Sequence, residues 1–526
     1  MVSTFHSLET AKRSLFTQTA ALNTTGHNIA NGNTEGFSRQ VVRMTASIPI
    51  DPYAFLRSTA PGQLGTGVEF NSIERIREKF LDDQFRGENA AFGSFNIQSD
   101  TLSKLEAIVN EPTETGLRTV LDNFYKSWSD LSKDPESVTA RSIVKERALA
   151  LTDAMNHMST QLNNLNTDLV NNVEVKGQEI QSYLTSIVDL NNSITRIEGL
   201  GDNANDLRDQ RDLLTDKLSK IINITATDSE QGYNISLGGQ PLVQGIAAPA
   251  TVDSAFLNTA YASGDLTGGE VHGMILSREK FVDDYTGQLN NLANTIATGD
   301  IQITLPKGSV IPTGAVIVQK DGATYSGPRT LENDLPITVK GLNGLHQLGY
   351  TMEGNDPVTG NPITGEAFFT IKGDGAGPIT AGNITINTNI VNNPNAISAS
   401  LRVTGTPPNE QLVKGNNTIA VIMSQLKGTE ATSPTTGNSA TIDAYFSAMV
   451  GQLGIQSQEA SRQTANAIVL TEQVETRRQS VSGVSLDEEM SNMIKFQHAY
   501  SASARFMTTF DQLLDKLINS TGVVGR

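Results

Sequence analysis

Histidine and acidic side chains are the residues of this sequence that could support catalysis or metal binding. The six histidines are scattered, and none has the HExxH or a comparable metal-ligand spacing. Neither a GxSxG nor a GxxxxGK[ST] motif occurs. The glycine-rich run at 373–377 lacks the GxGxxG spacing and the following helix that a phosphate cradle needs. We therefore predict no catalytic residue, no metal site and no cofactor.

Acidic residues are numerous, but their arrangement predicts ion pairs rather than acid–base chemistry. Asp209 and Asp212 lie beside Arg208 and Arg211 in an expected helix, a spacing typical of solvated ion pairs on a helix surface. The carboxylates at 353–356 lack the spacing of an EF-hand loop. We expect Asp209 and Asp212 to form solvated ion pairs on the helix surface.

Length and composition limit the class of protein. A chain of 526 residues is too long for one hydrophobic core, so several domains are expected. Its net charge of −17 argues against nucleic acid as a partner, and its lack of cysteine excludes disulfides. No run of about 18 apolar residues is present, so no membrane insertion is predicted. The N-terminus lacks the apolar core of a cleaved signal peptide.

The C-terminal residues predict a helix with one narrow apolar stripe. Ser485 and Glu488 have the spacing of a capping box, and the acidic residues 487–489 suit the positive end of a helix dipole. Such a narrow stripe is typical of a helix that packs against another helix. The predicted contact residues, at intervals of seven, are Leu486, Met493, Tyr500, Met507 and Leu514.

The N-terminal residues carry a second stripe with the same period. Each of its apolar side chains would contribute roughly 1.5–3 kcal/mol if fully buried, against about 1–2 kcal/mol of ordering cost per backbone residue. A lone helix of this kind is marginal, so we predict that the two stripes pair, within one chain or between neighbouring subunits. The alternative is two amphipathic helices on separate cores. The second stripe consists of Leu8, Leu15, Leu22 and Ile29.

Helical periodicity brackets a β-rich middle. The helical pattern runs from 135 to about 197 and returns at 205–221, alternation replaces it near 222, and helix resumes at 442. We predict a multidomain α+β chain with a terminal α-helical coiled coil, a rod-like body of long helices and inserted mainly-β outer domains. The predicted domains are 1–45 with 484–526 (coiled coil), 46–225 with 441–483 (helical body), and 226–440 (outer region, with a helical segment at 270–298 and a β-like insertion at 299–340).

Several motifs resemble those of bacterial flagellar axial proteins. NIANGNTEGFSRQ (28–40) and SGVSLDEEM (482–490) resemble their N- and C-terminal signatures and would fit rod and hook proteins too. NDLRDQRD (205–212) and WSDLSKDPESVTAR (128–141) are similar to the hook-associated protein 1 family within that group. The motif residues that we assign to the site are Asn28, Ala30, Asn31, Asn33, Thr34, Gly36, Arg39, Gln40, Asp206, Leu207, Asp209, Arg211 and Asp212.

One stretch departs from the family pattern. A helix that ends at Thr298 should lead directly into residues like 342–350, but about forty β-like residues intervene. We expect 299–340 to be a small insertion that projects from the outer part of the molecule.

The resemblance implies a structural, non-enzymatic subunit that joins the flagellar hook to the filament, with the two stripes as its assembly interface. Implied partners are the hook protein, hook-associated protein 3, further copies of the chain in a ring, and an export chaperone on the C-terminal helix. Neither nucleic acid nor membrane insertion is implied. The implied location is extracellular, at the hook–filament junction, reached by flagellar export without a cleaved signal peptide.

Two other functions fit parts of the sequence. Another hook or rod protein would share the terminal motifs, but residues 205–212 and the long helices favour the hook-associated family. A secreted adhesin or enzyme would place its activity in 226–440 and use the helices as a delivery stalk. Only the insertion at 299–340 leaves room for this, and no motif supports it.

Overall fold

The computed structural model describes residues 5–49, 65–109, 116–229 and 232–520, so the parts of the predicted domains outside these ranges are not covered. The chain forms two compact units. We name them the terminal unit, which comprises residues up to 95, 173–273 and those from 463 onward, and the central unit, which comprises 96–172 and 274–462.

Helices make up most of both units. A π-helical segment, Ser277–Val282, joins the seventh helix to the eighth. Among the described residues the α-helices are α1 (His6–Asn31), α2 (Lys79–Val109), α3 (Leu117–Lys133), α4 (Val138–Glu198), α5 (Asn205–Ile221), α6 (Ser254–Ser263), α7 (Gly269–Leu276), α8 (Asp283–Thr298), α9 (Gly341–Leu348), α10 (Thr388–Asn392), α11 (Thr418–Gln425), α12 (Ile442–Ser482) and α13 (Leu486–Ser520).

The strands are short and all their pairings in the described residues are antiparallel. The sheets are β1–β2, β9–β10, β11–β12, β13–β14, β3–β4–β5 and the five-stranded β16–β15–β6–β8–β7. Together with the helices they confirm the predicted α+β class. The strands are β1 (Gln40–Ala46), β2 (Val68–Arg75), β3 (Ile224–Ser229), β4 (Gly232–Leu237), β5 (Gln240–Gln244), β6 (Asp300–Leu305), β7 (Val318–Gln319), β8 (Leu335–Lys340), β9 (Tyr350–Asn355), β10 (Pro362–Thr364), β11 (Phe369–Ile371), β12 (Ile384–Ile386), β13 (Val403–Thr404), β14 (Gln411–Leu412), β15 (Glu430–Thr432) and β16 (Ser439–Thr441).

In the terminal unit, the sheet β3–β5 is fastened to two helices. Asn191 of α4 donates a hydrogen bond to the carbonyl of Gly245 at 2.6 Å. The Tyr233 hydroxyl donates to Thr215 of α5 at 3.1 Å, and the Arg211 guanidinium lies 3.8 Å from the centre of the Tyr233 ring. These contacts explain why residues 226–273, which we expected in the outer region, belong to the terminal unit. The boundaries of the two units therefore differ from those of the three predicted domains.

In the central unit, aromatic rings form the core. Trp128 of α3 is fully buried, and its ring centre lies 5.6 Å from that of Phe368. Arg141 of α4 is also buried and donates hydrogen bonds to the carbonyls of Pro135 (2.8 Å) and Ile397. Burial lowers the pKa of Arg141 to about 10. The stretch 128–141 thus supplies both the tryptophan at the core and the arginine that ties the start of α4 to residue 397.

The insertion at 299–340 differs from the expected projection because its strands complete a shared sheet. β6 pairs with β8 along its whole length and with β15, where Ile301 lies opposite Ala431. Beyond the strands, Arg329 forms an ion pair with Glu410 at 2.9 Å. Hydrogen bonds and this ion pair hold the insertion against residues 401–441, which lie about a hundred residues further along the chain.

His346 of α9 is completely buried next to the aromatic core. Its Nδ1 lies 2.6 Å from the carbonyl oxygen of Glu366, and its Nε2 lies 2.9 Å from the backbone nitrogen of Ser398. A carbonyl only accepts and a backbone N–H only donates, so the ring is neutral with its proton on Nδ1. Burial lowers the pKa of His346 to about 4.

We expect the central unit to lose stability as the pH falls from 7 to 5. The folded-state pKa of His346, about 4, lies below the unfolded value of about 6.5, so the unfolded chain binds the proton first. The contribution of His346 to the free energy of unfolding is present above pH 6.5 and is lost towards pH 4. At pH 5 the loss should reach about 2 kcal/mol.

Trp128, the single tryptophan of the chain, reports this loss because it lies in the same core. Its fluorescence should show a urea midpoint that falls between pH 7 and pH 5. His346→Gln, which does not titrate, should flatten this dependence. An unchanged dependence in that variant would show that other groups are responsible.

Candidate functional site: the terminal helix pair and the motif junction

The two predicted stripes lie on helices that pair within one chain. Asn28 near the end of α1 donates to Glu489 at the start of α13 at 3.2 Å, and the hydroxyls of Ser14 and Ser503 lie 2.7 Å apart. Moving back along α1 therefore means moving forward along α13, so the pair is antiparallel. Of the two arrangements that the sequence left open, the structure contains pairing within the chain.

On α1, the side chains that are most buried are smaller than the predicted ones. The predicted residues Leu8, Leu15, Leu22 and Ile29 are only half-buried. Threonines can be buried here because their hydroxyls bond to carbonyls of their own helix, as Thr17 does to Arg13 and Thr24 to Ala20. The buried residues of α1 are Ala11, Thr17, Ala21, Thr24, Thr25 and Asn28.

On α13, the predicted stripe is only partly covered. Met493, Met507 and Leu514 are half-buried, whereas Leu486 and Tyr500 keep 50% and 41% of their surface exposed. Further apolar side chains of this helix keep 43–69% of their surface exposed: Met490, Ile494, Phe506, Leu513 and Ile518. One chain therefore leaves a long apolar surface on α13 accessible, which is the usual mark of an interaction surface.

A polar junction holds the start of α13. Glu489 is buried and accepts hydrogen bonds from Arg39 Nε at 2.7 Å and from Asn28 at 3.2 Å. The backbone N–H of Arg39 donates to the carbonyl of Ser482 at 2.9 Å, just before α13. Glu488, which we expected to complete a capping box with Ser485, forms an ion pair with Arg39 at 2.8 Å. The N-terminal and C-terminal motifs thus meet.

The third motif joins them through Gln40 and Ser38. The side chain of Asn28 bonds to both the backbone carbonyl and the backbone N–H of Gln40, at 2.8 and 3.0 Å. Gln40 Nε2 donates to Asp206 at 2.7 Å, and Ser38 donates from its backbone and its hydroxyl to Asp209 at 2.9 and 2.8 Å. We name this meeting point of residues 28–40, 205–216 and 482–489 the motif junction.

The aspartates of α5 are buried rather than solvated, so the prediction of surface ion pairs is wrong for Asp209 and Asp212. Positions 209, 212 and 216 share one face of α5 because they are three and four residues apart. This face is enclosed by arginines of three other segments. The closest contacts, at 2.5–2.8 Å, are Arg75–Asp209, Arg75–Asp212, Arg86–Asp216 and Arg478–Asp216, and Arg77 lies 3.4 Å from Asp212.

The environment shifts the pKa values of Asp209 and Asp212 in opposite directions. At Asp209, burial raises the pKa although Ser38 and Arg75 donate hydrogen bonds to the carboxylate. Burial acts the same way on Asp212, but Arg77 and Arg75 outweigh it and hold the pKa below its usual value. Asp212 is therefore a charged group whose ionised form depends on arginines from β2 and from the segment that follows it.

Other predicted motif residues have different positions. Gly36 has a φ of +79°, and a Cβ there would lie 3.0 Å from Leu213, so this position requires glycine. Arg211 is buried and lies over Tyr233. Asn31 donates to the backbone carbonyl of His27 at 3.1 Å, and Leu207 is half-buried. The remaining three, Ala30, Asn33 and Thr34, are exposed.

Sequence reasoning missed the residues that complete the junction. For Glu489 the sequence indicated only a favourable charge at the start of the helix, and the arginines had no assigned role at all. Two signals were present: Arg75 and Arg77 flank Ile76 just before α2, and Arg478 follows another arginine near the end of α12. The arginines that contact the aspartates of α5 and had no assigned role are Arg75, Arg77, Arg86 and Arg478.

Across the described ranges, no group of three or more histidine, cysteine, aspartate or glutamate side chains is placed to hold a metal ion. Arginines explain this for Asp209, Asp212 and Asp216, because each of these three carboxylates already has a cationic partner. In the same part of the chain, no helix combines the length and the hydropathy needed to cross a membrane.

The chain matches two family models. Residues 102–299 match the flagellar hook-associated protein FlgK helical domain, and residues 477–520 match the flagellar basal body rod FlgEFG protein C-terminal family. A solved structure, that of the flagellar hook junction protein FlgK from Burkholderia pseudomallei, covers 76% of this chain and 100% of its own, with a TM-score of 0.49 and 16% identity.

Two relatives match this chain over nearly its full length. Flagellar hook-associated protein 1 of Escherichia coli (strain K12) is 24% identical over 557 residues, which cover 95% of this chain and 97% of that protein. Flagellar hook-associated protein 1 of Bacillus subtilis (strain 168) is 33% identical over 538 residues, and the match covers 100% of both chains. With this identity over its full length, the chain belongs to the flagellar hook-associated protein 1 family, whose members are structural proteins of the bacterial flagellum.

Proposed function

We propose that this chain is a structural subunit of the junction between hook and filament, and that it assembles through α1 and α13. The observation that carries the proposal is the apolar surface of α13 that one chain leaves exposed. Each side chain that a neighbour buries fully would contribute roughly 1.5–3 kcal/mol. Several such side chains on one helix favour association between subunits.

The motif junction supports this role by setting the position of α13. Only three residues, 483–485, separate α12 from α13, and Glu489 is bound in the next turn by Arg39 and Asn28. The helix therefore leaves the junction in one direction, with its contacts to α1 on one side. We propose that the exposed apolar residues on its remaining sides contact the terminal helices of neighbouring copies.

The proposed partners follow from membership of the family and from this surface. They are the hook protein, hook-associated protein 3 and further copies of the chain in a ring. Before assembly, an export chaperone would cover the apolar side chains of α13, since they would otherwise promote aggregation. The proposed location is extracellular, and the proposed route is flagellar export without a cleaved signal peptide.

A deletion strain tests the proposed function. Without this chain, the bacterium should release filament protein into the medium instead of building filaments, and the full-length chain supplied in trans should restore filaments. Electron microscopy and immunoblots of the medium measure both effects. Normal filaments in the deletion strain would refute the proposal.

A further inference from the structure

The terminal unit contains a pocket of about 500 Å³ beside the motif junction. Its walls come from the loop that follows α1, from α2, from α5 and from the end of α12. Phe85, Leu213 and Val484 provide apolar surface, and Lys217 and Lys220 lie on one side.

Two lysines at the pocket are loosely paired and open to an anionic group beside an apolar one. Three carboxylates also line the pocket, and Arg478 already binds two of them, Asp216 at 2.5 Å and Glu475 at 2.8 Å, while it stacks on Phe85 at 4.1 Å. Lys217 and Lys220 are each 44% exposed; Lys217 has a 3.7 Å ion pair with Glu35, the third lining carboxylate, and Lys220 has one of 3.6 Å with Glu270 and lies 5.6 Å from the centre of the Phe92 ring. Their ammonium groups can therefore donate to a further carboxylate. The pocket fits an apolar side chain with a carboxylate close by.

The turn between α4 and α5, residues 199–202, has this chemistry. Leu200 is 84% exposed, and Asp202 is exposed two residues later. The turn is ordered, because the N–H groups of residues 199, 200 and 201 bond to carbonyls of residues 195, 197 and 198 at 3.0 Å. Gly201 has a φ of +98°, a left-handed conformation that favours glycine. The backbone thus holds Leu200 out into solvent.

The turn and the pocket of one chain cannot meet. The turn leads into the first residue of α5, Asn205, which bonds to the carbonyl of Ile73 at 2.8 Å. Lys217 lies twelve residues further along the same helix, which is about 18 Å at 1.5 Å per residue. Any contact between them must join two copies of the chain.

We propose that Leu200 and Asp202 of one copy dock into this pocket of a neighbouring copy, with Leu200 against Phe85, Leu213 and Val484 and Asp202 near Lys217. The inference rests on the proposed function, since it names a second contact between subunits of the assembly. Two different surfaces meet, so the contact is heterologous and generates a ring or a helical array rather than a closed dimer.

Paired cysteines test the contact, and the chain contains no native cysteine that would interfere. Asp202→Cys and Lys217→Cys are combined in one full-length chain, expressed in the deletion strain, and treated in isolated hook–filament particles with a short bis-maleimide. A ladder of covalent multimers is expected. Each single variant should remain monomeric, and so should Asp189→Cys combined with Lys217→Cys, since Asp189 is an exposed carboxylate of α4 outside the turn.

The outcomes separate this contact from the proposed function. If filaments require this chain but the double-cysteine particles give no ladder of multimers, the proposed contact is wrong and the proposed function stands. Cross-linking of the Lys217→Cys variant to a different flagellar protein, identified by mass spectrometry, overturns it as well. If the double-cysteine strain builds no filaments, variants that exchange the charges of residues 202 and 217 test the contact instead. Asp202→Lys and Lys217→Glu should each reduce filament number, the double variant should restore it, and failure to restore it overturns the contact.

Discussion

Replacing Leu513 by aspartate should prevent the chain from entering the flagellum while leaving its own α1–α13 pair intact. Leu513 is 49% exposed in the single chain, so a carboxylate there stays hydrated before assembly. In the proposed assembly a neighbouring helix covers it, and burying an unpaired charge costs several kcal/mol. Immunoblots should find the variant in the medium and not in isolated hook–filament particles, and filament protein should be released with it.

Two variants make this result specific. Gln512→Asp adds the same charge to an exposed site one residue away, which is about 100° around the helix, and should assemble normally. Met507→Asp instead alters a half-buried site one turn from Ser503, which contacts Ser14, so it should also reduce the helical circular dichroism of the free chain. Normal incorporation of the Leu513 variant would contradict the proposed role of this surface.

Replacing Asp212 by asparagine should destabilise the terminal unit by about 3–5 kcal/mol, the usual cost of removing one partner from a buried ion pair. The carboxylate lies 2.7 Å from Arg75 and 3.4 Å from Arg77, with only 7% of its side chain exposed. Asparagine would leave these two arginines with less compensating charge. Urea unfolding followed by far-UV circular dichroism measures the loss, and fluorescence of Trp128 serves as an internal reference for the central unit.

Asp206→Asn is the matched control because it makes the same change in the same motif and helix. Asp206 is 57% exposed, and its carboxylate bonds to Gln40 and His27 at 2.7 and 3.2 Å. Exposed pairs of this kind contribute at most about 1 kcal/mol. Equal losses in the two variants would mean that burial does not decide the strength of these ion pairs.

The site was predicted best where the signal is local. The end of α1, the bounds of α5 at 205–221 and the start of α13 at 486 agree with the sequence patterns, because capping residues and a 3.6-residue period act over a few positions. The resemblance selected Asn28, Arg39, Gln40 and the aspartates of α5 as important. It did not say that they touch one another.

Their contacts depend on tertiary structure. Asn28 and Glu489 are 461 residues apart in the chain, and no local pattern indicates which carboxylate a distant amide will meet. The expected solvation of Asp209 and Asp212 was wrong for the same reason. A helix face is buried or exposed according to what packs on it, and here the arginines arrive from β2, α2 and α12.

The apolar stripes show which features of this protein follow from its sequence and which depend on its tertiary structure. The sevenfold repeats of α1 and α13 by themselves determined that each terminus is a helix in need of a helical partner, because the repeat places apolar groups on one side. Only the tertiary structure decided that the partners belong to one chain, run antiparallel, and leave Leu513 and its apolar neighbours on α13 exposed. The repeat specifies which side of each helix is apolar. Which helix packs against that side depends on the long-range contacts of the motif junction.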